Sequence, residues 1–508
     1  MAMLNCSSRV PMVSSSYNNE KPTFIHGRGF SKFLILLKVN YQVSTNLRSR
    51  YCSRFKIGEI TMKKLMQSFF IVILFAWGSA AADKPPGYFV DENELPFEAL
   101  PGATAYWGVH TGAGYHIEVP DDWNGDLVVW AHGFAGTGLE LEVQDHPLRP
   151  LLIAWGYAWA ASSYRRNDYD VTSGVQDTHA LTKRFNGIVG KPDKVYLTGA
   201  SMGGHITAVA IEQYPNTYDG ALPVCGALGD FELFDYFLDF NLAAQQLGTG
   251  GSIFPVEPFQ YIGFTVPTIK ANLSGPGPGW PVSLNAAGTN LKNLTELRSG
   301  GDRPNFDEAW FFWNTFPEFA TGPGNFLFDL GTSDGTLVRS PGVAVDNYNV
   351  EYQFDTDSAI MPDEQEFNDN IFRQMADPQA RNRNGLAQVP VVTGDIRAPV
   401  LTLHNLGDLF VPVHNEIEYA KRVAANGKSD LLVQRAIRGV NHCGFTGNEL
   451  AFAFIDLVGW VESGVKPDGD NWLDPAEVAD PNFGCAFTDF AAGPPFFGFP
   501  HILATACP

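Results

Sequence analysis

The sequence predicts an α/β fold with a mostly parallel central sheet and one large insertion. Three observations predict it. From about residue 100, short apolar runs alternate with helical stretches. The alternation stops between about 230 and 395, then resumes at Pro399. A Gly-x-Ser-x-Gly turn, Gly199 to Gly203, stands between a strand-like run and a helical one.

Taken in order, Tyr115 to Val119 is the first strand, ended by Pro120. Asp126 to Ala131 is almost wholly apolar, as a strand covered on both faces must be. Tyr157 to Ala161 is the next. Val171 to Phe185 can form a helix with Val175, His179, Leu181 and Phe185 on one face. Lys194 to Thr198 is a strand, and the helix from Gly203 to Tyr214 stops before Pro215. Ala221 to Cys225 follows as a strand, although Pro223 lacks the N–H that a regular central strand needs. After the break come a strand at Pro399 to Leu403, a helix over 414–425 and a strand from Leu431 to Ile437. A helix over 447–461 buries Leu450, Phe454, Leu457 and Val458. The interrupting residues carry aromatic clusters, Phe231 to Phe240 and Trp310 to Trp313, and glycine-rich loops. Residues 230–395 are therefore expected to be an inserted cap between two parts of one core, 83–229 and 396–465, with 466–508 a tail packed on that core.

The N-terminus belongs to something else. Met62-Lys63-Lys64, an apolar run from Phe69 to Trp77 and the small residues Gly78 to Ala82 have the layout of an export signal over 62–82. Residues 1–61 before it are basic and are read as a non-native or unstructured extension, with translation expected to start at Met62. The apolar run is too short to span a bilayer comfortably, so a secreted or periplasmic protein without integral membrane association is expected. The whole chain carries a formal charge of −21, and its acidic excess lies after this basic leader. It argues against nucleic acid and anionic lipid as partners.

Removing the leader leaves Cys225, Cys443, Cys485 and Cys507, which permit three pairings. Cys225 is expected at the end of a central strand and Cys443 directly follows His442, so these two can meet, leaving Cys485 and Cys507 to staple the tail. No Cys-x-x-Cys spacing suggests a metal site, and neither a Gly-x-Gly-x-x-Gly after a strand nor a His-Glu-x-x-His occurs, so no cofactor is expected.

The chemistry centres on Ser201. A serine on a sharp strand-to-helix turn exposes its hydroxyl, and the Met202 N–H at the helix start faces developing negative charge. A second oxyanion donor must come from the loop after an earlier strand. The Phe134 N–H of His132-Gly133-Phe134 is the candidate, with His132 structural. A serine hydroxyl needs a base. His442 follows the strand ending near Ile437, on the edge where such sheets gather their sites. His404 and His414 are expected to pack or to face substrate. Asp408, after the 400–404 strand, is the expected acid. Asp230 is the reserve, and Asp395 lies at the wrong end of its strand.

At these residues the sequence resembles the α/β-hydrolase superfamily: Gly199 to Gly204, the His132-Gly133 loop, Gly407-Asp408 and Asn441-His442, over roughly residues 100–230 and 395–465. The order Ser201, Asp408, His442 is that superfamily's order. His442-Cys443, followed by Trp460-Val461-Glu462-Ser463-Gly464 and Pro467, is similar to tannases and fungal-type feruloyl esterases. That family joins a cysteine before the nucleophile to one after the histidine. Here residue 200 is alanine, and Cys225 would have to take that place. The resemblance implies a serine carboxylic ester hydrolase acting through an acyl-enzyme on a small-molecule or polymeric ester, with the aromatic cap suited to apolar or aryl groups. A serine peptidase or amidase, a tannase-like or polyester-degrading esterase, and a non-catalytic binding protein of the same fold are the alternatives.

Overall fold

A computed structural model describes residues 87–316, 324–332, 342–381, 388–491, 502 and 506–508. The extension at 1–61, the export signal at 62–82 and parts of the tail lie outside the described residues.

Eight strands form one sheet: β1 (Ala103–His110), β2 (Ala113–Pro120), β3 (Leu127–Ala131), β4 (Ala158–Ser162), β5 (Val195–Ala200), β6 (Gly220–Val224), β7 (Val400–Asn405) and β8 (Leu432–Ile437). Their spatial order is β1-β2-β4-β3-β5-β6-β7-β8. The pairings β1–β2 and β2–β4 are antiparallel and all the others parallel. The helices that matter for the site are α1 (Arg149–Ala154), α2 (Val171–Ile188), α3 (Met202–Gln213), α4 (Phe231–Thr249), α5 (Val266–Leu273), α6 (Ala286–Ser299), α7 (Phe306–Thr315), α8 (Pro362–Asn370), α9 (His414–Ala425) and α10 (Gly447–Ser463).

Side-chain alternation along β3 explains its unbroken apolar run. Leu127, Val129 and Ala131 join the core made with α2, α3 and α9, while Val128 and Trp130 join the core made with α1 and α10. Each face of the sheet is thus sealed by helices, which is what keeps parallel strands out of water. Helix α10 begins with a capping box, Thr446 Oγ1 accepting from Glu449 N (3.1 Å) and Glu449 Oε2 from Thr446 N (2.7 Å). Reciprocal caps of this kind contribute about 1 kcal/mol. They start the helix five residues beyond His442.

The structure departs from the sequence expectations at two places. Strand β1 was not expected: it lies at the sheet edge, and its residues are exposed or half-buried throughout. Helix α1 was not expected either. Pro223 does sit in a central strand, at a local cost. Ala221 N donates to Pro399 O (3.0 Å) and Cys225 N to Leu403 O (2.8 Å). The donor that would reach Leu401 between them is missing, and the β6–β7 ladder retains only the pairs Ala221–Val400 and Val224–Leu403.

Between β6 and β7 the described residues form helices α4 to α8 and no strand. Leu242, Ile269, Leu291, Trp310, Trp313 and Phe328 belong to a separate apolar cluster. That cluster also takes in Leu409 and Val440. These two residues flank Asp408 and His442, so the insertion's core is continuous with the loops that carry them. In the tail, Trp472, Val478 and Phe483 pack on Leu406, Val413 and Ala436.

Candidate active site

Strand β5 delivers the chain into α3 through Ser201, whose backbone is left-handed at φ 59° and ψ −122°. Such a conformation costs a non-glycine residue about 1–3 kcal/mol and persists only when its surroundings enforce it. Here packing does. A Cβ on Gly203 would lie 2.0 Å from Ala131 O, so only glycine lets α3 approach the end of β3. The Met202 N–H opens α3 and has no acceptor in the helix's own ladder. The loop after β3 runs beside the serine, since a Cβ on Gly133 would lie 3.3 Å from Ser201 Cβ. Phe134 follows in that loop, half exposed. His132 is buried; its Nδ1–H donates to Gly133 O (2.7 Å) and its ring stacks on Tyr164. Burial pushes its pKa down to about 4, so it is a neutral loop fastener.

The loops after β7 and β8 meet above the sheet. Gly407 N donates to Gly439 O (2.8 Å), and a Cβ on Gly407 would lie 2.8 Å from Val440 Cα. Glycine is what permits this contact. Asp408, wholly buried, accepts at Oδ1 from Phe410 N and Val411 N, both at 2.9 Å. Its other oxygen lies 2.6 Å from His442 Nδ1. A carboxylate accepts, so Nδ1 carries the hydrogen and Nε2 is left to accept from Ser201 Oγ, 2.8 Å away. Ser201, His442 and Asp408, read from three separate loops, are thus joined in one line.

The other candidates lie elsewhere. Asp230 caps α4 through Phe231 N (2.6 Å), accepts from Val392 N (3.0 Å) and pairs with Arg422 (2.6 Å). Asp395 is 3.9 Å from Arg397 near the start of β7. His414 is half-buried at the start of α9, and desolvation drives its pKa down to about 3. His404 is buried behind Asp408, its Nε2 3.9 Å from Asp408 Oδ2.

Two residues of the insertion that the sequence did not single out hold these loops. Trp313 Nε1 donates at 2.9 Å to both Gly407 O and Val440 O, bridging the Asp408 and His442 loops. Arg303 Nε donates to Leu406 O (2.8 Å). In sequence Trp313 is one ring of an aromatic run, and its acceptors lie 94 and 127 residues away. No local signal marks it.

Cys225 and Cys443 are bonded, with their Cα atoms 5.3 Å apart, as are Cys485 and Cys507, with theirs 6.0 Å apart. The first bond ties the end of β6 to the residue after His442 and brings Cys443 Sγ to 3.4 Å from His442 Nε2. Cys225, His442 and Cys443 are close enough together to hold a metal ion, but the two sulfurs are bonded to each other and offer no thiolate. Phe410 sets its ring 5.0 Å from that of His442, and Phe326 from the insertion packs on Phe410 at 5.1 Å. A cleft of about 690 Å³ bordered by Lys194, Asp219, Arg397 and Lys466 lies at the opposite, N-terminal edge of the parallel strands, away from Ser201.

An eight-stranded sheet in this order, with a serine elbow after β5, an aspartate after β7 and a histidine after β8, decides the architecture. The chain has the α/β-hydrolase fold. No protein-family model matches it. The chain is similar to the o-phthalyl amidase of Xanthobacter agilis, 22% identical over 405 residues, which cover 70% of this chain and 86% of the amidase. Among solved structures it is similar to feruloyl esterase B from Aspergillus oryzae (16% identity, TM-score 0.42, 72% of this chain and 82% of that one). It is also similar to the tannin acyl hydrolase from Aspergillus niger (14% identity, TM-score 0.36, 74% and 86%). Among the described residues no helix is long and apolar enough to cross a membrane.

Proposed function

We propose that the protein is an exported serine hydrolase that cleaves carboxylic esters through an acyl-enzyme. The observation that carries this reading is the hydrogen-bonded line Ser201–His442–Asp408, at 2.8 and 2.6 Å, with the serine on a strained turn. His442 Nε2 takes the Ser201 proton as Oγ attacks the carbonyl carbon. Asp408 fixes the imidazole and balances its positive charge. The Met202 and Phe134 N–H groups receive the oxyanion. The protonated His442 gives its proton to the departing alcohol. Water, deprotonated by the same nitrogen, then releases the acid. Phe410 and the aromatic residues behind it suit an aryl or apolar group beside the base. The disulfides support an oxidising destination.

Amide cleavage is the second reading, favoured by the similarity to an amidase, since amides pass through the same kind of intermediate. A fluorophosphonate should label Ser201 in the wild type and not in Ser201→Ala. That variant should keep its fold and lose ester turnover down to a residue of about 10³–10⁴ over the uncatalysed rate. Absence of labelling, or near-normal turnover by Ser201→Ala, overturns the proposal. Matched aryl esters and anilides then decide the bond: higher kcat/KM on the esters supports the first reading, and higher kcat/KM on the anilides replaces it with the second.

A further inference from the structure

His404 ends its environment in two acceptors. It lies in β7, fully buried, with Nε2 2.6 Å from Val411 O and Nδ1 3.1 Å from Glu416 Oε1. A peptide carbonyl has no hydrogen to give, so Nε2 must carry one. The hydrogen between Nδ1 and Glu416 is shared by an imidazole and a carboxylate. The other oxygen of Glu416 already accepts from Thr402 Oγ1 (2.7 Å) and Gln434 Nε2 (2.5 Å). Two donors on one oxygen suit a carboxylate, and a carboxylate beside Nδ1 favours the charged form of His404.

This pair stands directly behind the acid proposed for catalysis. His404 Nε2 is 3.9 Å from Asp408 Oδ2, the oxygen that meets His442. Val411, whose carbonyl takes the His404 hydrogen, gives its own N–H to Asp408 Oδ1. His404 therefore touches the Asp408 turn by charge and by hydrogen bond together. Among the other titratable or charged groups around it, Arg303 brings a second positive charge to bear on Asp408 but makes no hydrogen bond to the Asp408–Val411 turn among the described residues. His414, at the start of α9, is driven towards neutrality by desolvation. Tyr236 of α4 is a buried phenol held neutral. Arg303 turns its Nε to Leu406 O and its other nitrogens to Gly301 O and Ser299 Oγ. Burial works against a charged His404, yet the hydrogen bond and charge of Glu416, with Asp408 beyond, outweigh it and raise its pKa.

We propose that His404, charged through its pairing with Glu416, is a positioning residue that acts on catalysis through Asp408. Its positive charge gives the Asp408 carboxylate a buried counter-charge and its hydrogen bond fixes the 408–411 turn. The inference rests on the Ser201–His442–Asp408 reading and adds an element to it. The sign of its effect follows from charge. A cation behind Asp408 disfavours a further positive charge beside that carboxylate, so activity should persist to lower pH with it than without it.

The test uses the whole protein with His404→Gln and Glu416→Gln. The second variant keeps the shape of residue 416 and removes its charge: its amide oxygen can still accept from Thr402 and Gln434, while its amide N–H donates to Nδ1 of a neutral His404. In both variants the acidic limb of kcat/KM should move to higher pH by about 1 unit, the low end of what a charge at this range produces. At the optimum kcat should fall about tenfold with KM within twofold. Fluorophosphonate labelling of Ser201 is measured alongside. If wild type and both variants label but the acidic limb stays in place in Glu416→Gln, the pair is merely structural and the inference fails. If the wild type does not label, the underlying triad reading fails instead. Should His404→Gln not fold, Glu416→Gln decides alone.

Discussion

Asp408 and Asp230 carry the sharpest contrast at the scale of single residues. Both follow a strand of the parallel sheet and both are buried. Asp408 Oδ2 faces His442, while Asp230 is spent on the α4 cap and on Arg422, 192 residues away. Asp408→Asn should therefore lower kcat by about 10⁴ with little change in Tm, because the amide favours the wrong imidazole tautomer. Asp230→Asn should do the reverse, lowering Tm through a weakened buried pair while kcat holds. Steady-state kinetics and thermal unfolding of the two variants check this, and a kcat collapse in Asp230→Asn alone would reassign the acid. The sequence could put forward Ser201, His442 and Asp408 because each stands just after a strand, where local pattern is enough. It could rank Asp408 above Asp230 only from their places along the chain, and it could not find Glu416 behind His404, because a partner residue decides each case. Such partners are chosen by packing and leave no trace in spacing.

At the scale of elements, period and breakers made most of the core legible. β3 and β5 are apolar runs because both faces of the sheet are covered, and α3 ends at Tyr214 because Pro215 follows. β1 escaped because an edge strand with one side in solvent need not be apolar. The insertion was legible only as a gap, since helices α4 to α8 pack on one another and on loops far away in sequence. Its contribution to the site comes through α7. Trp313 gives one N–H to two buried carbonyls, Gly407 O and Val440 O, so the indole sets the spacing of the Asp408 and His442 loops. Trp313→Phe keeps much of the ring packing and strands both carbonyls, at a cost of about 1–3 kcal/mol for unsatisfied buried groups. We expect Tm to fall and kcat to fall roughly 10²-fold, as displacements of about 1 Å at a catalytic site do. A fall in Tm with kcat intact would show that the loops hold their geometry without the insertion.

For the whole molecule, the two disulfides divide the work between chemistry and the tail. Cys225–Cys443 closes a loop with a sequence separation of 218, which contains the entire insertion, β7 and β8. Cys485–Cys507 closes one of only 22. In the chain-entropy account a loop of ~15 residues contributes about 3 kcal/mol and one of ~100 about 4.7, so the longer bridge should stabilise more by roughly 2 kcal/mol. The bridges differ more in where they end. Cys225 leaves β6 in a left-handed conformation, φ 45°, and Cys443 leaves His442 in another, φ 51°. The sheet thereby holds the base from the side opposite Asp408, and Cys443 Sγ rests 3.4 Å from the nitrogen that must accept the serine proton. Loss of that bridge frees the His442 loop on one side while Trp313 still holds it on the other. The double variant Cys225→Ala, Cys443→Ala should accordingly lose both Tm and kcat. Cys485→Ala, Cys507→Ala should lose a smaller increment of Tm and keep kcat, since neither of its cysteines adjoins His442 in the chain. Thermal unfolding and steady-state kinetics on the two double variants test the division. Equal kcat in both would mean that Asp408 and the insertion suffice to aim His442, leaving the longer bridge a purely thermodynamic tie.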